Sequence, residues 1–185
     1  MANVDMTASQ MLAALNRLGD LLQWPEPVEI LLIGGAAGMA TGLLDPGRTT
    51  GDCDVADLSP GQAAGALEQA ARQVARERSL ASNWLNDRAG QLNVLPDGWR
   101  SRRCPIGTYG QLRVFAASRL DLLATNVFAH RGADRDDVAA MHIVPDEIKF
   151  VRRYLNMLRV PSRGADLDQV QQATRYLDLL SKGIQ

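Results

Sequence analysis

The string RTTGDCDV at residues 48–55 sets two carboxylates, Asp52 and Asp54, one small residue apart at the start of an expected strand. In extended chain, residues two apart project from the same face, so both acids point together while Cys53 turns into the protein. Two like charges on one face repel unless a cation lies between them, and Mg²⁺ or Mn²⁺ takes carboxylate oxygens readily. A solvated polar turn is the other reading that these two residues allow.

Upstream, VEILLIGG is an apolar run of strand length closed by Gly34 and Gly35 and followed by the small-residue stretch AAGMATGLL. A glycine pair between a strand and a helix lets backbone N–H groups approach an anion such as a phosphate. Close packing of helix on strand would ask for the same residues. If the two strands lie side by side, glycine turn and acids converge, and a divalent cation on the acids could bridge nucleotide phosphates, the arrangement of phosphoryl transfer. A dinucleotide-binding fingerprint competes, since the acids follow the first glycine at about the 20-residue distance that fold expects. IGGAAGMA lacks the G-x-G-x-x-G spacing, however, and few apolar residues precede the acids.

The elements that must position these residues follow from periodicity. Residues 9–23 carry Met11, Leu12, Leu15, Leu18, Leu21 and Leu22 at helical spacing behind Thr7 or Ser9 as N-cap. VEILLI and DCDVADL are expected strands, and SPGQAAGALEQAARQVARER is an expected helix with Ser59 as N-cap and Pro60 at its first position, running to about Ser79. Residues 83–105 fit no element; they hold WLND, whose Trp84 suits packing better than base stacking, and the basic loop GWRSRRCP with Trp99, Arg100, Arg102 and Arg103. Such a loop could hold an RNA backbone if Arg113, Arg119 and Arg131 joined it, though a solvated loop is commoner. GQLRVFAAS alternates as a third strand. From Arg119 onward the pattern is helical throughout, with Asp121 suited to capping. Strands separated by helices, then helices alone, indicate an α+β fold: a small mixed sheet flanked by helices with a C-terminal helical region. The expected division is a domain over residues 1–141 and a helical extension packed on it over 142–185.

With 46% hydrophobic residues in 185, the chain can bury a full core. Lys and Arg number 20 against 21 Asp and Glu, so any nucleic acid must be met by a local patch. Cys53 and Cys104 form neither a zinc motif nor a disulfide framework, and His130 and His142 are too scattered for zinc; a reducing cytoplasm is the expected setting. No apolar run approaches the roughly 20 residues that span a bilayer, so no membrane role is expected.

LLIGG followed by RTTGDCDV resembles the signature of the nucleotidyltransferase superfamily, a Gly-Gly or Gly-Ser turn and then Asp-x-Asp. It is most similar to the toxin-type branch, which includes the AbiE abortive-infection toxin and related bacterial nucleotidyltransferase-like proteins. The Arg-x-Thr-x-Asp-x-Asp string of that branch reads here Arg48, Thr50, Asp52 and Asp54. Its downstream pattern, DLLAxK and then Arg and Asp-x-x-Asp, is met in LDLLATNVFAHRGADRDDV by Arg131, Asp134 and Asp137, with Asn126 in the lysine place. The resemblance spans residues 28–141.

The resemblance implies Mg²⁺ (or Mn²⁺) on Asp52 and Asp54, with Asp137 as third catalytic acid in place of a carboxylate on the later strand. It also implies nucleotide contacts from Gly34, Gly35, Arg48, Thr50, Asn126 and Arg131. The implied reaction moves a nucleoside monophosphate from a nucleoside triphosphate to a hydroxyl on RNA, such as tRNA, or on protein, in a toxin held by an antitoxin. An amide at Asn126 cannot supply a lysine's cationic contact. The alternative is a catalytically impaired nucleotide- or partner-binding protein on the same fold.

Overall fold

The computed structural model describes residues 5–86 and 94–183. Thr7 starts the first helix, α1 (Ala8–Leu21): its hydroxyl accepts from the Gln10 N–H at 3.3 Å, and the Gln10 side chain accepts from the Thr7 N–H at 2.9 Å. This reciprocal cap satisfies two otherwise orphaned donors. Met11, Ala14, Leu15 and Leu18 form the buried stripe.

The apolar run becomes β1 (Val28–Ile33), the central strand of a five-stranded mixed sheet. Its partners are β2 (Cys53–Ser59), antiparallel, and β5 (Leu112–Ala116), parallel. The short β3 (Leu85–Asn86) lies parallel to β2 at one edge, and β4 (Cys104–Tyr109) lies antiparallel to β5 at the other. The order is β3-β2-β1-β5-β4. An antiparallel β1–β2 pair excludes the dinucleotide-binding fold, which needs those strands parallel. The mixed sheet with flanking helices is the α+β architecture that the strand and helix pattern indicates.

The chain divides into two compact units, Met1–Gln91 with Arg103–Ala116, and Leu92–Arg102 with Ala117–Gln185. The first holds the sheet, α1, α2 (Gly34–Ala40) and α3 (Ala64–Arg78). One expectation is corrected here. Ser59 does not cap a helix; it is the last residue of β2, paired with Glu29, and α3 begins only after a 3₁₀ turn over Gly61–Ala63. Strand pairing claims the Ser59 backbone before a helix can start. The other end of α3 falls where expected, at Ser79 with a left-handed φ of 55°. Trp84 is fully buried, its indole donating to the Ala71 carbonyl at 2.9 Å, which makes it a packing residue.

The second unit contains α4 (Trp99–Arg102), α5 (Arg119–Ala129), α6 (Gly132–Ala140), α7 (Pro145–Leu158) and α8 (Leu167–Lys182). Helices α6, α7 and α8 all pack on α5, around Leu122, Leu123, Val127, Val151, Leu155 and Leu177. Ser118 caps α5, its hydroxyl accepting from the Asp121 N–H at 3.3 Å and donating to the Asp121 carboxylate at 2.6 Å. Asp121 is thus a capping residue, as its position suggests. Among the described residues, no helix is long and apolar enough to cross a membrane.

Candidate active site

Ile33, the last residue of β1, pairs with Asp54 near the start of β2, so the antiparallel register brings the glycine turn beside the acids. Gly34 has a φ of +61°, a left-handed conformation that glycine alone adopts without steric cost. A Cβ on Gly34 would stand 3.6 Å from Asp54 Oδ2. One on Gly35 would stand 3.4 Å from Arg48 Nη2 and 3.7 Å from Thr50 Oγ1. Gly34, Gly35, Arg48, Thr50 and Asp54 therefore meet in one place in the first unit.

Local bonds fix the approach of the chain to that place. The Asp45 carboxylate accepts from the Gly47 N–H at 2.7 Å, Arg48 donates to the Thr49 carbonyl, and the buried Thr50 hydroxyl donates to the Asp52 carbonyl at 2.9 Å. The backbone of Thr50 also pairs with Met6 through bonds of 2.7 and 3.0 Å. The DPGRTTG loop is thereby tied down at Thr50 before β2 begins.

Asn86 completes the acidic side. It pairs with Asp54 across the β2–β3 register, and its side-chain amide donates to Asp52 Oδ2 at 3.4 Å. Both acids thus lie beside one amide. Asn86 comes from WLND, where the sequence showed no element; an amide following the apolar Trp84 and Leu85 was the only signal. Asp87 of that string lies outside the described residues.

The Asp54 carboxylate is half-buried and, among the described residues, receives no hydrogen bond or ion pair. Cys53, between the two acids, is fully buried; burial, reinforced by the charges of Asp52 and Asp54, pushes its thiol well above the ordinary range, so it stays protonated. The donor set around the turn is therefore carboxylate oxygen without thiolate, which fits a hard divalent cation. No group of three or more His, Cys, Asp or Glu side chains suited to a metal occurs among the described residues.

The remaining sequence-derived residues belong to the second unit. Asn126 on α5 is 2% exposed, and its Nδ2 has no hydrogen-bond partner among the described residues. Asp137 on α6 is 4% exposed. Asp134 accepts from the Arg131 N–H at 3.0 Å and from Arg131 Nε at 2.8 Å, closing the N-terminus of α6, while the Arg131 side chain is largely exposed.

The arginines of the basic loop divide between internal tasks. Within the first unit, Arg103 pairs with Glu29 at 2.7 Å and stacks over Phe115 at 3.6 Å, and Arg113 also reaches Glu29. Within the second, Arg102 binds Asp121 at 2.6 Å and lies over Phe150, and Arg119 pairs with Glu147. Arg100 lies over Trp99 at 4.5 Å. These cations serve intramolecular pairs, which weakens the case for a continuous RNA-binding patch.

The glycine turn beside Asp54 is the arrangement that the superfamily signature requires, and a family model described as "Nucleotidyltransferase of unknown function (DUF6036)" matches residues 9–156. The chain belongs to this nucleotidyltransferase family. Membership implies a nucleoside triphosphate as substrate. The match runs from α1 into α7, so it draws on both units of the DUF6036 protein. No curated protein and no solved structure matches the chain.

Proposed function

We propose that the protein is a divalent-cation-dependent nucleotidyltransferase that moves a nucleoside monophosphate from a nucleoside triphosphate to a hydroxyl on RNA or protein. The observation that carries this reading is the Gly34 turn lying against the Asp54 carboxylate, which has no partner of its own among the described residues. Asp52 and Asp54 would hold Mg²⁺ or Mn²⁺, which supplies charge neutralisation at the phosphate oxygens when bound. The Gly34 and Gly35 backbone seats phosphates where a side chain would intrude. Arg48 and Thr50, beside Gly35, contact the triphosphate, and the family resemblance implies Arg131 as a further nucleotide contact.

The family resemblance implies Asp137 as the third acid. Transfer then rests on positioning and on neutralising charge at the phosphate. The Arg48, Thr50, Asp52, Asp54 string supports placement in the toxin-type branch, with an antitoxin as partner; growth arrest on expression that depends on Asp54 tests that placement.

Incubation with labelled triphosphates, Mg²⁺ and bulk tRNA or cell protein tests the activity. Label transfer by the wild type that disappears in both Asp52→Ala and Asp54→Ala is the expected result. Transfer that survives both substitutions sinks it, as does failure of every triphosphate to bind.

One observation favours a second reading, a nucleotide- or partner-binding protein without turnover. Asn126 stands in the lysine place, is almost wholly buried and carries no charge. Triphosphate binding that needs Asp54, together with no transfer to any acceptor, selects this reading.

A further inference from the structure

The chain just ahead of α1 is bound to the string that carries Arg48 and the acids. Met6 forms an isolated antiparallel bridge with Thr50: its N–H donates to the Thr50 carbonyl at 2.7 Å, and its carbonyl accepts from the Thr50 N–H at 3.0 Å. The Met6 side chain is 1% exposed, and the next residue, Thr7, is fixed as the N-cap of α1. The approach is close, since a Cβ on Gly51 would stand 3.3 Å from Asp5 Oδ1.

The bridge acts on one peptide group in particular. The Thr49 carbonyl accepts from the Arg48 guanidinium, and the N–H of the same peptide group, that of Thr50, donates to the Met6 carbonyl. A trans peptide group is planar, so its C=O and N–H point in opposite directions and turn together. Arg48 is thus held on one side of this plane and Met6 on the other. If Met6 lets go, the plane can turn, and the carbonyl that seats the guanidinium turns with it. Arg48 Nη2 lies 3.4 Å from where a Cβ on Gly35 would stand, so such a turn would carry the guanidinium off the glycine turn.

The acids are held by other means. Asp54 is paired with Ile33 on one flank and with Asn86 on the other, and Asp52 Oδ2 accepts from the Asn86 amide. None of these contacts passes through Met6. The strap therefore bears on the cation beside the glycine turn and not on the two carboxylates.

We infer that Met6 is a positioning residue for Arg48 and sets triphosphate affinity through the Thr49–Thr50 peptide. The inference rests on the transfer reading above, which seats the triphosphate against Gly35 and Arg48.

The test uses the full chain and isothermal titration calorimetry with each common ribonucleoside triphosphate in the presence of Mg²⁺. Met6→Gly removes the buried anchor and frees the backbone, and it is expected to weaken triphosphate binding about threefold to tenfold, the range of one lost hydrogen bond. Mn²⁺ binding without nucleotide is expected to stay within about twofold of wild type, as for an independent site. In the Arg48→Ala background Met6→Gly is expected to cause no further loss, because a residue that acts through Arg48 has nothing left to position. Met6→Leu keeps the anchor and retains wild-type affinity. Gly19→Ala, which strains α1 away from the loop, also binds triphosphate as wild type does. Met6→Ala is titrated beside Met6→Gly, so that poor folding of one leaves the other to decide. Undiminished triphosphate affinity in both, losses that add in the double variant, or an equal loss of Mn²⁺ affinity overturns the inference and leaves the transfer reading standing. Failure of the wild type to bind any triphosphate removes both.

Discussion

Asn86 donates from its side-chain amide to Asp52 Oδ2 at 3.4 Å while its backbone pairs with Asp54, so one residue on a two-residue edge strand is tied to both acids. The bond is long, and a neutral donor to a charged acceptor is worth on the order of 1 kcal/mol net. Asn86 is therefore a positioning residue for Asp52. Asn86→Ala is expected to weaken Mn²⁺ binding about threefold to tenfold, read by electron paramagnetic resonance titration, with Asn86→Gln recovering part of the loss. Unchanged Mn²⁺ affinity in Asn86→Ala would remove Asn86 from the site.

Gly34 carries the conformational demand of the turn. At a φ of +61° an alanine costs about 1–2 kcal/mol, and its methyl would face Asp54 Oδ2 at 3.6 Å. Gly34→Ala is expected to lower unfolding free energy by that amount in urea titration and to weaken triphosphate binding, because the methyl stands where a phosphate would approach. Loss of stability with full triphosphate affinity would separate the turn from the phosphate site.

How much of this was legible in the sequence varies with where each element draws its stability. The buried run of β1 and the capped stripe of α1 declare themselves locally, as do Gly34 and the two acids. Neither edge strand does. β3 is two residues long and exists through its pairing with Cys53 and Asp54, and β4 carries Pro105 and Gly107, which an edge tolerates but which local propensity opposes. Asn86 was missed for that reason. In α5, all residues from Asp121 to Phe128 are buried, so helical periodicity could not mark Asn126 as an interior position.

Asn126 presents an interior donor with no partner among the described residues. A buried amide left unsatisfied costs about 1–3 kcal/mol, and leucine has similar volume without the polar atoms. Asn126→Leu is expected to leave the melting temperature unchanged or raise it, by differential scanning calorimetry. A fall of several degrees would mean that the amide is bonded in solution.

Gly19 packs against the end of β4 with no room for a side chain. A Cβ there would lie 2.1 Å from the Tyr109 carbonyl oxygen and 2.5 Å from Tyr109 Cβ, so α1 rests directly on the end of β4. Neither atom can move without shifting the β4–β5 turn, where Gly110 has a φ of +56° and also faces the Gly19 carbonyl. Gly19→Ala is expected to destabilise by about 1–3 kcal/mol, the usual cost of overpacking, despite alanine's better helix propensity. Chemical denaturation measures it, and a stabilised variant would refute the contact.

The Arg17–Glu77 pair links α1 to α3 at 2.8 Å, and hydrogen bonds from Arg17 and then Gln73 pull the Glu77 carboxyl from its ordinary 4.5 down to about 2. A carboxylate whose folded value is depressed adds stability above its unfolded value and loses it as pH falls through the folded one. The contribution is therefore complete above about pH 4.5, declines below that and is gone near pH 2. Both side chains are more than one-third exposed, so solvent screens the pair and the effect is small. Glu77→Gln is expected to narrow the gap to wild type progressively below pH 4.5 in urea titrations. A gap that stays constant down to pH 2.5 would assign the effect to packing and not to the charge.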